Sequence, residues 1–447
     1  MPEPDSLSSQ TLAALADATD PSQLLPAPRR VDGSQVPSDL SLLEAMRLSA
    51  ECRVGVFSDR AGRLVAAPFC IADTSLVRAT PGDGAAASLA RLLLEHDQLG
   101  VGGFALSSLT HLAGTMVTPA AGERAMDVDQ THESVVVGDA AVVKWAVHAE
   151  PTPAPELIAH LSLAGFTEMP RPWGFLTWED GQRAVLVASV AQYLPGASDG
   201  WTWAVLDAGD FAARGGTLAG SVEAFGQVGT VVADLHASLA TPTEVMASPA
   251  QMVGADEVAT WCRLAHLALD DAIASVDARE GDRLVDLSRP IGAAIDAMGD
   301  VSTTTAIPVH GDLHIGQVLR WAGGYAVGDF DGNLVLPVAQ RLALQPAARD
   351  VAGLLQSIDH VGRVVLRRVG GADGGLVDQW IGEAQSRFLD SYRVRLADRG
   401  SSHLLDDRLL RPFQVEQECR EFLYAVRHLP SWRYVPDQAM QALFSRA

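Results

Sequence analysis

The chain has 447 residues, of which 48% are hydrophobic and 20% charged. That is too long for one ordinary core, so two or three subdomains are expected. No apolar run reaches the roughly 18 residues that a membrane span requires. A formal net charge of −22, from 33 basic and 55 acidic side chains, argues against nucleic acid or an anionic membrane surface as partner, but not against a small polyanion escorted by a divalent cation.

Met1 to Pro21 is polar and acidic, without the basic start and apolar core of a secretory signal. The cysteines Cys52, Cys70, Cys262 and Cys419 are scattered and form no C-x-x-C pair, as expected of free thiols in a reducing cytoplasm. Lys144 is the only lysine. A composition otherwise given over to Arg keeps an ammonium by chance or where a compact point charge is needed against a phosphate oxygen.

In chain order, residues 1 to about 40 are rich in Pro, Ser, Asp and Ala and read as a partly ordered leader. Arg53 to Ser58 and Arg63 to Phe69, around the turn Asp59 to Gly62, predict a hairpin. A further strand is expected near Thr74 to Arg78 and a helix over Ala85 to Glu95, making a small α+β appendage. Ser134 to Val137 and Ala141 to Val147 predict a second hairpin turning at Gly138-Asp139, with Lys144 on its second strand. A short helix follows from Pro155 to Gly165, with Glu156 in its first turn. A strand-borne Lys followed by a helix-borne Glu is the ion pair with which phosphotransferases present an ammonium to nucleotide phosphates. Taken alone, Glu156 is also a common favourable charge at a helix start.

Strands are expected over Trp173 to Trp178 and Ala184 to Leu194, the latter ending at Pro195-Gly196 as a hinge. From there the periodicity is helical to the end of the chain, with amphipathic helices over Val222 to Leu239, Asp256 to Val276, Val351 to Arg368, Leu376 to Ala397 and Gln414 to Arg427. The fold class expected is α+β and bilobal, with an N-terminal cap at 1–110, a β-rich lobe at 111–195 and a mostly helical lobe at 196–447.

The chemistry concentrates in His310 to Gln317 and its echo, Gly328 to Asp331. Asp312 and Gln317 are five residues apart, and Asp329 follows Asp312 by seventeen. In phosphoryl transfer one Asp takes the proton of the acceptor hydroxyl, while an amide and a later Asp hold magnesium. Asp312 is the candidate base. Gln317 and Asp329 are candidate ligands of Mg2+, and Asp331, on the same face of an expected strand, is placed to add a second ligand or to bind through water. His310 and His314 read as loop-supporting histidines. A rival reading is metal-dependent phosphoester hydrolysis, from His310-x-Asp312-x-His314 and G-D-x-H. That chemistry wants an earlier D-x-H and a later Asn-His around two metals. The only earlier D-x-H, Asp234-Leu235-His236, falls in a predicted helix, and no Asn-His follows. No G-x-x-x-x-G-K-[ST] is present, which sets aside a P-loop nucleotidase.

These motifs resemble the aminoglycoside-phosphotransferase-like kinases, more closely the actinobacterial maltokinase and glucosamine kinase group. The resemblance runs from about Gln130 to Val435. It is strongest in His310 to Arg320, Gly328 to Asn333 and Ala348 to His360. It extends to Ala164 to Phe166, Asp199 to Trp201 and Asp234 to Ala240. It implies a protein-kinase-like fold that uses ATP and magnesium, with Lys144 and Glu156 anchoring phosphates and the backbone of Ala191, Gln192 and Tyr193 meeting adenine. The stretch Asp129 to Glu133 holds no glycine, so the phosphate loop is expected to rely on Ser134 and backbone. Maltokinases commonly carry an aromatic between the Asp and second His of the loop, and Glu at the place of Asp331.

For the acceptor, Gln417 and Glu421 share one helix face and Trp432 follows. Amide and carboxylate bind sugar hydroxyls, a carboxylate suits an amine, and an indole stacks on a pyranose. This Q-x-x-x-E with a downstream Trp resembles the glucosamine kinase branch. The resemblance thus implies an ATP-dependent sugar kinase making D-glucosamine 6-phosphate, with maltose 1-phosphate synthesis as the alternative; a cytoplasmic protein, monomeric or weakly dimeric, is expected.

Overall fold

The computed structural model describes residues 8–26, 39–72, 74–112, 122–126, 133–147, 149–215, 217–275 and 282–445. Chain contacts group into two compact units: Met1–Ser162 with Pro170–Pro195, and Leu163–Met169 with Gly196–Ala447. The first is β-rich and the second mostly helical, in keeping with the expected α+β, bilobal fold class.

The first unit holds two antiparallel sheets. β1 (Ser41–Arg47), β2 (Cys52–Ser58), β3 (Leu64–Ala72) and β4 (Ser75–Arg78) form a four-stranded meander. The larger sheet comprises β5 (Gln98–Val101), β6 (Phe104–Ser108), β7 (Glu123–Ala125), β8 (Glu133–Val137), β9 (Ala141–Trp145), β10 (Pro172–Glu179) and β11 (Ala184–Gln192). Its order is β5-β6-β10-β11-β9-β8-β7. β5 and β6 lie before residue 110 yet pair into this sheet, so no break in pairing falls there.

Helix α2 (Ala85–Glu95) buries Leu89, Ala90 and Leu93 in a core shared with strand residues from both sheets, among them Val54, Trp145 and Trp178. Residues 8–26 of the expected leader are among those described. Ser8 accepts the Thr11 N–H and caps α1 (Ser9–Asp17), whose Leu12 and Ala16 pack with Leu24, Phe57 and Phe69. Two apolar positions one turn apart suffice to dock so short a helix. The β8–β9 turn has positive φ at both Gly138 and Asp139, the two-residue turn that suits strand twist.

In the second unit, α4 (Gly200–Arg214) leads to α5 (Leu218–Leu239), which packs along α10 (Gly374–Asp398). The helix α3 (Ala154–Leu163), carrying Glu156, belongs to the first unit. α6 (Ala255–Ala274) and α7 (Asp282–Asp296) follow, with β12 (Gln251–Val253) paired to β13 (Thr304–Ala306). The helical run is also interrupted by the hairpin β14 (Val318–Trp321) and β15 (Gly324–Val327). Four-residue strands are too short to show a period of their own. After the short α8 (Val338–Arg341) comes α9 (Ala348–Arg368), the spine of the unit. Its polar Asp350, Gln356, Ser357 and His360 are buried along with its apolar residues, and it contacts α4, α10, α11 (Leu410–His428) and α12 (Tyr434–Ser445). Among the described residues no helix is long and apolar enough to cross a membrane.

Candidate active site

The loop before β14 is held from below by α9. Asp350, in the first turn of that helix, accepts the His310 N–H at 2.8 Å through one oxygen and the Gly311 N–H at 3.0 Å through the other. Ser357, two turns on, accepts the Ile315 N–H at 2.9 Å. The close approach is set by Gly353, where a Cβ would lie 2.8 Å from the Leu313 carbonyl oxygen, and by Gly200, where it would lie 1.6 Å from that of Ile315. Asp350 is itself held by His236 Nε2 at 3.2 Å, and Tyr392 holds the other ring nitrogen at 2.7 Å. Burial alone would push the Asp350 carboxyl up, but the His236 hydrogen bond and nearby charges bring it below the usual carboxylate range.

On this base the acidic side chains come together. Asp312 Oδ1 accepts from Asn333 Nδ2 at 3.0 Å. Burial raises the Asp312 carboxyl above its ordinary range; His314 and His310 oppose that shift, and the charges of Asp329 and Asp350 reinforce it. Gln317 Nε2 lies 3.4 Å from Asp329 Oδ2 and 3.3 Å from His314 Nε2. His310 Nε2 sits 2.8 Å from the Gly328 carbonyl oxygen, and His314 Nδ1 accepts the Gly316 N–H at 3.0 Å. Burial also holds the His314 imidazole below its usual pKa. Asp329 is exposed and has φ +63, a left-handed conformation that is uncommon outside Gly and clusters at functional sites. The segment Asp329 to Asp331 is therefore a turn and not the strand expected, and Asp331 is buried while Asp329 faces out. Alternation along a strand does not apply once the backbone turns.

The acceptor candidates lie in the same unit. Gln417 Nε2 donates to Glu421 Oε1 at 3.0 Å on α11. Burial raises the Glu421 carboxyl; His360 opposes the shift and the Asp312 charge adds to it, so the two carboxylates sense one another. Trp432 meets Trp201 edge-on at 5.6 Å, and Trp201 lies 6.3 Å from the His314 ring. Trp201 is carried by the start of α4, where Asp199 caps the helix by accepting from Thr202. Behind Glu421, His360 Nε2 is 2.8 Å from Glu418 Oε1, which also accepts from Gln356.

In the first unit, Lys144 on β9 is the ladder partner of Ser134 on β8 and of Ser189 on β11. Glu156 is exposed in the first turn of α3. The backbone N–H of Gln192 donates to Arg171 and that of Tyr193 to Ala140, so these two donors are not open to a purine ring. Residues 129–132 of the expected phosphate loop lie outside the described residues. Sequence reasoning passed over Asn333, Asp350 and the His360–Glu418 pair. The Asp-Phe-Asp-Gly-Asn of residues 329–333 and the Ala-Arg-Asp that opens α9 carried the first two in plain view.

No family model matches the chain. A glucosamine kinase of Streptacidiphilus jiangxiensis is 44% identical over 435 residues, covering 96% of this chain and 97% of that one. The chain belongs to the glucosamine kinase family. A second relative, a glucosamine kinase of Mycolicibacterium smegmatis, is 40% identical over 375 residues, covering 83% of this chain and 91% of its own. A solved glucosamine kinase in complex with glucosamine, ADP and inorganic phosphate superposes with TM-score 0.79 at 42% identity, covering 97% of this chain and 99% of that chain. A second crystal form of a glucosamine kinase gives 0.82 at the same identity and coverage. As a glucosamine kinase family member the protein is a sugar kinase, a phosphotransferase with an alcohol acceptor. The hydrolase reading is set aside on the site as well. His236 is fully engaged beneath the loop, and Asp234 pairs with Arg395 at 2.9 Å, so the early D-x-H brings no ligand to Asp312.

Proposed function

We propose that the chain transfers the γ-phosphoryl group of ATP to the 6-hydroxyl of D-glucosamine. One observation carries the reading: the Trp201 ring lies between His314, on the loop that carries the Asn333-held Asp312, and Trp432 of the acceptor set, at 6.3 Å and 5.6 Å. Asn333 occupies one Asp312 oxygen and leaves the other for the acceptor hydroxyl. That oxygen aims the hydroxyl and takes its proton as the new O–P bond forms and the γ-phosphorus parts from the bridging oxygen, which leaves with ADP. A carboxylate whose proton affinity is raised by burial is a better acceptor for that proton.

Gln317 and Asp329 carry an amide and a carboxylate oxygen, the donors a hard cation prefers; the Gln317 amide nitrogen lies 3.4 Å from Asp329 Oδ2, so turning the amide over would bring its oxygen to the same place. They fit Mg2+, which when bound neutralises charge on the β- and γ-phosphates. Lys144, with Ser134 beside it on the ladder, supplies the ammonium for the phosphates, and Glu156 is assigned to support it. Gln417 and Glu421 read the sugar's hydroxyls and amine, and Trp432 offers it an apolar face. A consumer of ATP belongs in the cytoplasm.

ADP release measured with glucosamine, glucose and maltose tests the reading, with the phosphorylated carbon assigned by NMR. Turnover is expected with glucosamine at least about tenfold more efficiently than with glucose, a ratio worth about 1.4 kcal/mol, and the product is the 6-phosphate. Preference for maltose, or phosphate at the anomeric carbon, would overturn it.

A further inference from the structure

Away from the acidic loop, three metal-ligating side chains meet on the surface of the helical unit. Cys262 and His266 are four residues apart on α6, so both leave the same face of that helix. Asp296, the last residue of α7, comes up beside them. A sulfur, an imidazole nitrogen and a carboxylate oxygen of these three lie within 4.8 Å of one another. His266 Nε2 is 2.8 Å from Asp296 Oδ1, and the Cys262 thiol donates to the Ile295 carbonyl at 3.7 Å. Cys262 and His266 also line a surface recess of about 540 Å³ with Val258, Arg263 and Gly299, which gives an ion and its water a way in.

None of these groups serves phosphoryl transfer. A histidine–aspartate hydrogen bond is an ordinary surface contact, but it does not account for the thiol one turn below. Sulfur, nitrogen and oxygen together suit a borderline-soft cation and not magnesium or calcium, which take oxygen. With zinc bonds of about 2.0 to 2.3 Å, tetrahedral ligand atoms sit roughly 3.3 to 3.7 Å apart. To reach that geometry the His266–Asp296 pair opens by about half an ångström and the wider pairs close by at most about one.

We propose that Cys262, His266 and Asp296 form a Zn2+ site that ties α6 to α7, with water in the fourth position. Binding releases the thiol proton, and the imidazole proton now facing Asp296 moves to Nδ1 as Nε2 ligates. Both helices pack on α11, so the ion would brace the helix that carries Gln417 and Glu421.

The test titrates metal-stripped full-length protein with Co2+ as a spectroscopic probe at pH 8, then with Zn2+. One equivalent of Co2+ should produce a thiolate-to-cobalt charge-transfer band that Zn2+ displaces. Cys262→Ser should abolish the band, and His266→Ala should weaken both ions at least about tenfold. Retained kinase turnover of both variants without zinc would report an intact fold. No band in the parent protein would overturn the proposal. So would a band surviving Cys262→Ser, which would point to Cys52 and Cys70, whose sulfurs lie 3.4 Å apart. Unchanged Zn2+ affinity in His266→Ala would equally overturn it.

Discussion

Asp350 grips the backbone of His310 at 2.8 Å from the first turn of α9. Through its other oxygen it also holds Gly311, so one buried carboxylate fixes the two residues that lead into Asp312. Asp350→Ala leaves two backbone donors and His236 facing a void. Breaking such a buried arrangement costs about 3 kcal/mol or more. Asp350→Asn keeps one acceptor and is expected to cost about 1 to 3 kcal/mol. Chemical denaturation measures both costs. Turnover should fall in the same order, and equal turnover in the parent and both variants would show that the grip does not position the loop.

Asn333 tests the base from the other side. Its amide fixes one Asp312 oxygen, so Asn333→Ala should lower kcat about tenfold while nucleotide binding, followed by fluorescence titration, stays unchanged. Asp312→Asn should lower kcat by about 10² to 10⁴, the range for a lost general base, again with nucleotide affinity largely intact. A variant at Asp312 that retains turnover removes it from the base role.

What could be read from the sequence follows from distance along the chain. Asp312, Gln317 and Asp329 stand out because their spacing is local and the chemistry demands it. Lys144 stands out because composition isolates it. Asp350 lies thirty-eight residues beyond Asp312, and its partner His236 lies in α5, so only the folded packing of three helices reveals the support. The pair His360 and Glu418 joins α9 to α11 in the same way. The turn at Asp329 escaped because alternating acidic residues after an apolar run read as a strand, and only the backbone shows the left-handed φ. The sheet was legible in its hairpins but not in the pairing of β6 with β10, which brings together residues about seventy apart.

Gly200 is a second test of the loop's seating. A Cβ there would lie 1.6 Å from the Ile315 carbonyl oxygen, and backbone on both sides leaves nowhere to retreat. Gly200→Ala should displace the start of α4 and the Trp201 ring with it. The expected result is a loss of about 1 to 3 kcal/mol of stability, as for an overpacked core, and a higher KM for the sugar. A variant with unchanged melting temperature and kinetics would show that the approach is not tight.

His360 gives the protein a pH signature. Burial alone would lower its pKa, but Glu418, with Glu421 and Asp359, raises it to about 9, while burial pushes Glu418 up from its usual value. The direction that stands is a protonated His360 at neutral pH, because carboxylates surround it. A folded pKa above the unfolded value of about 6.5 gives stability that is fully present below pH 6.5. That stability is lost as pH rises through about 9. The melting temperature should therefore fall between these pH values. In His360→Gln that fall should shrink, with a lower melting temperature at pH 6.5; a fall of the same size in both proteins would place the titration elsewhere.

Glu421 decides what the acceptor helix recognises. Its carboxylate accepts from Gln417 and has a second oxygen to offer. A charge-assisted bond to an ammonium is worth about 1.5 to 3 kcal/mol, against about 1 for a neutral hydroxyl. Glu421→Gln keeps the shape and removes the charge. The KM for glucosamine should rise about tenfold or more, while that for glucose stays within about twofold, with kcat little changed because the contact binds ground and transition states alike. Steady-state kinetics on the two sugars measures this directly. Equal rises on both would mean that Glu421 holds a ring hydroxyl common to the two sugars, and the amine would then have to be read by another group near Gln417 and Trp432.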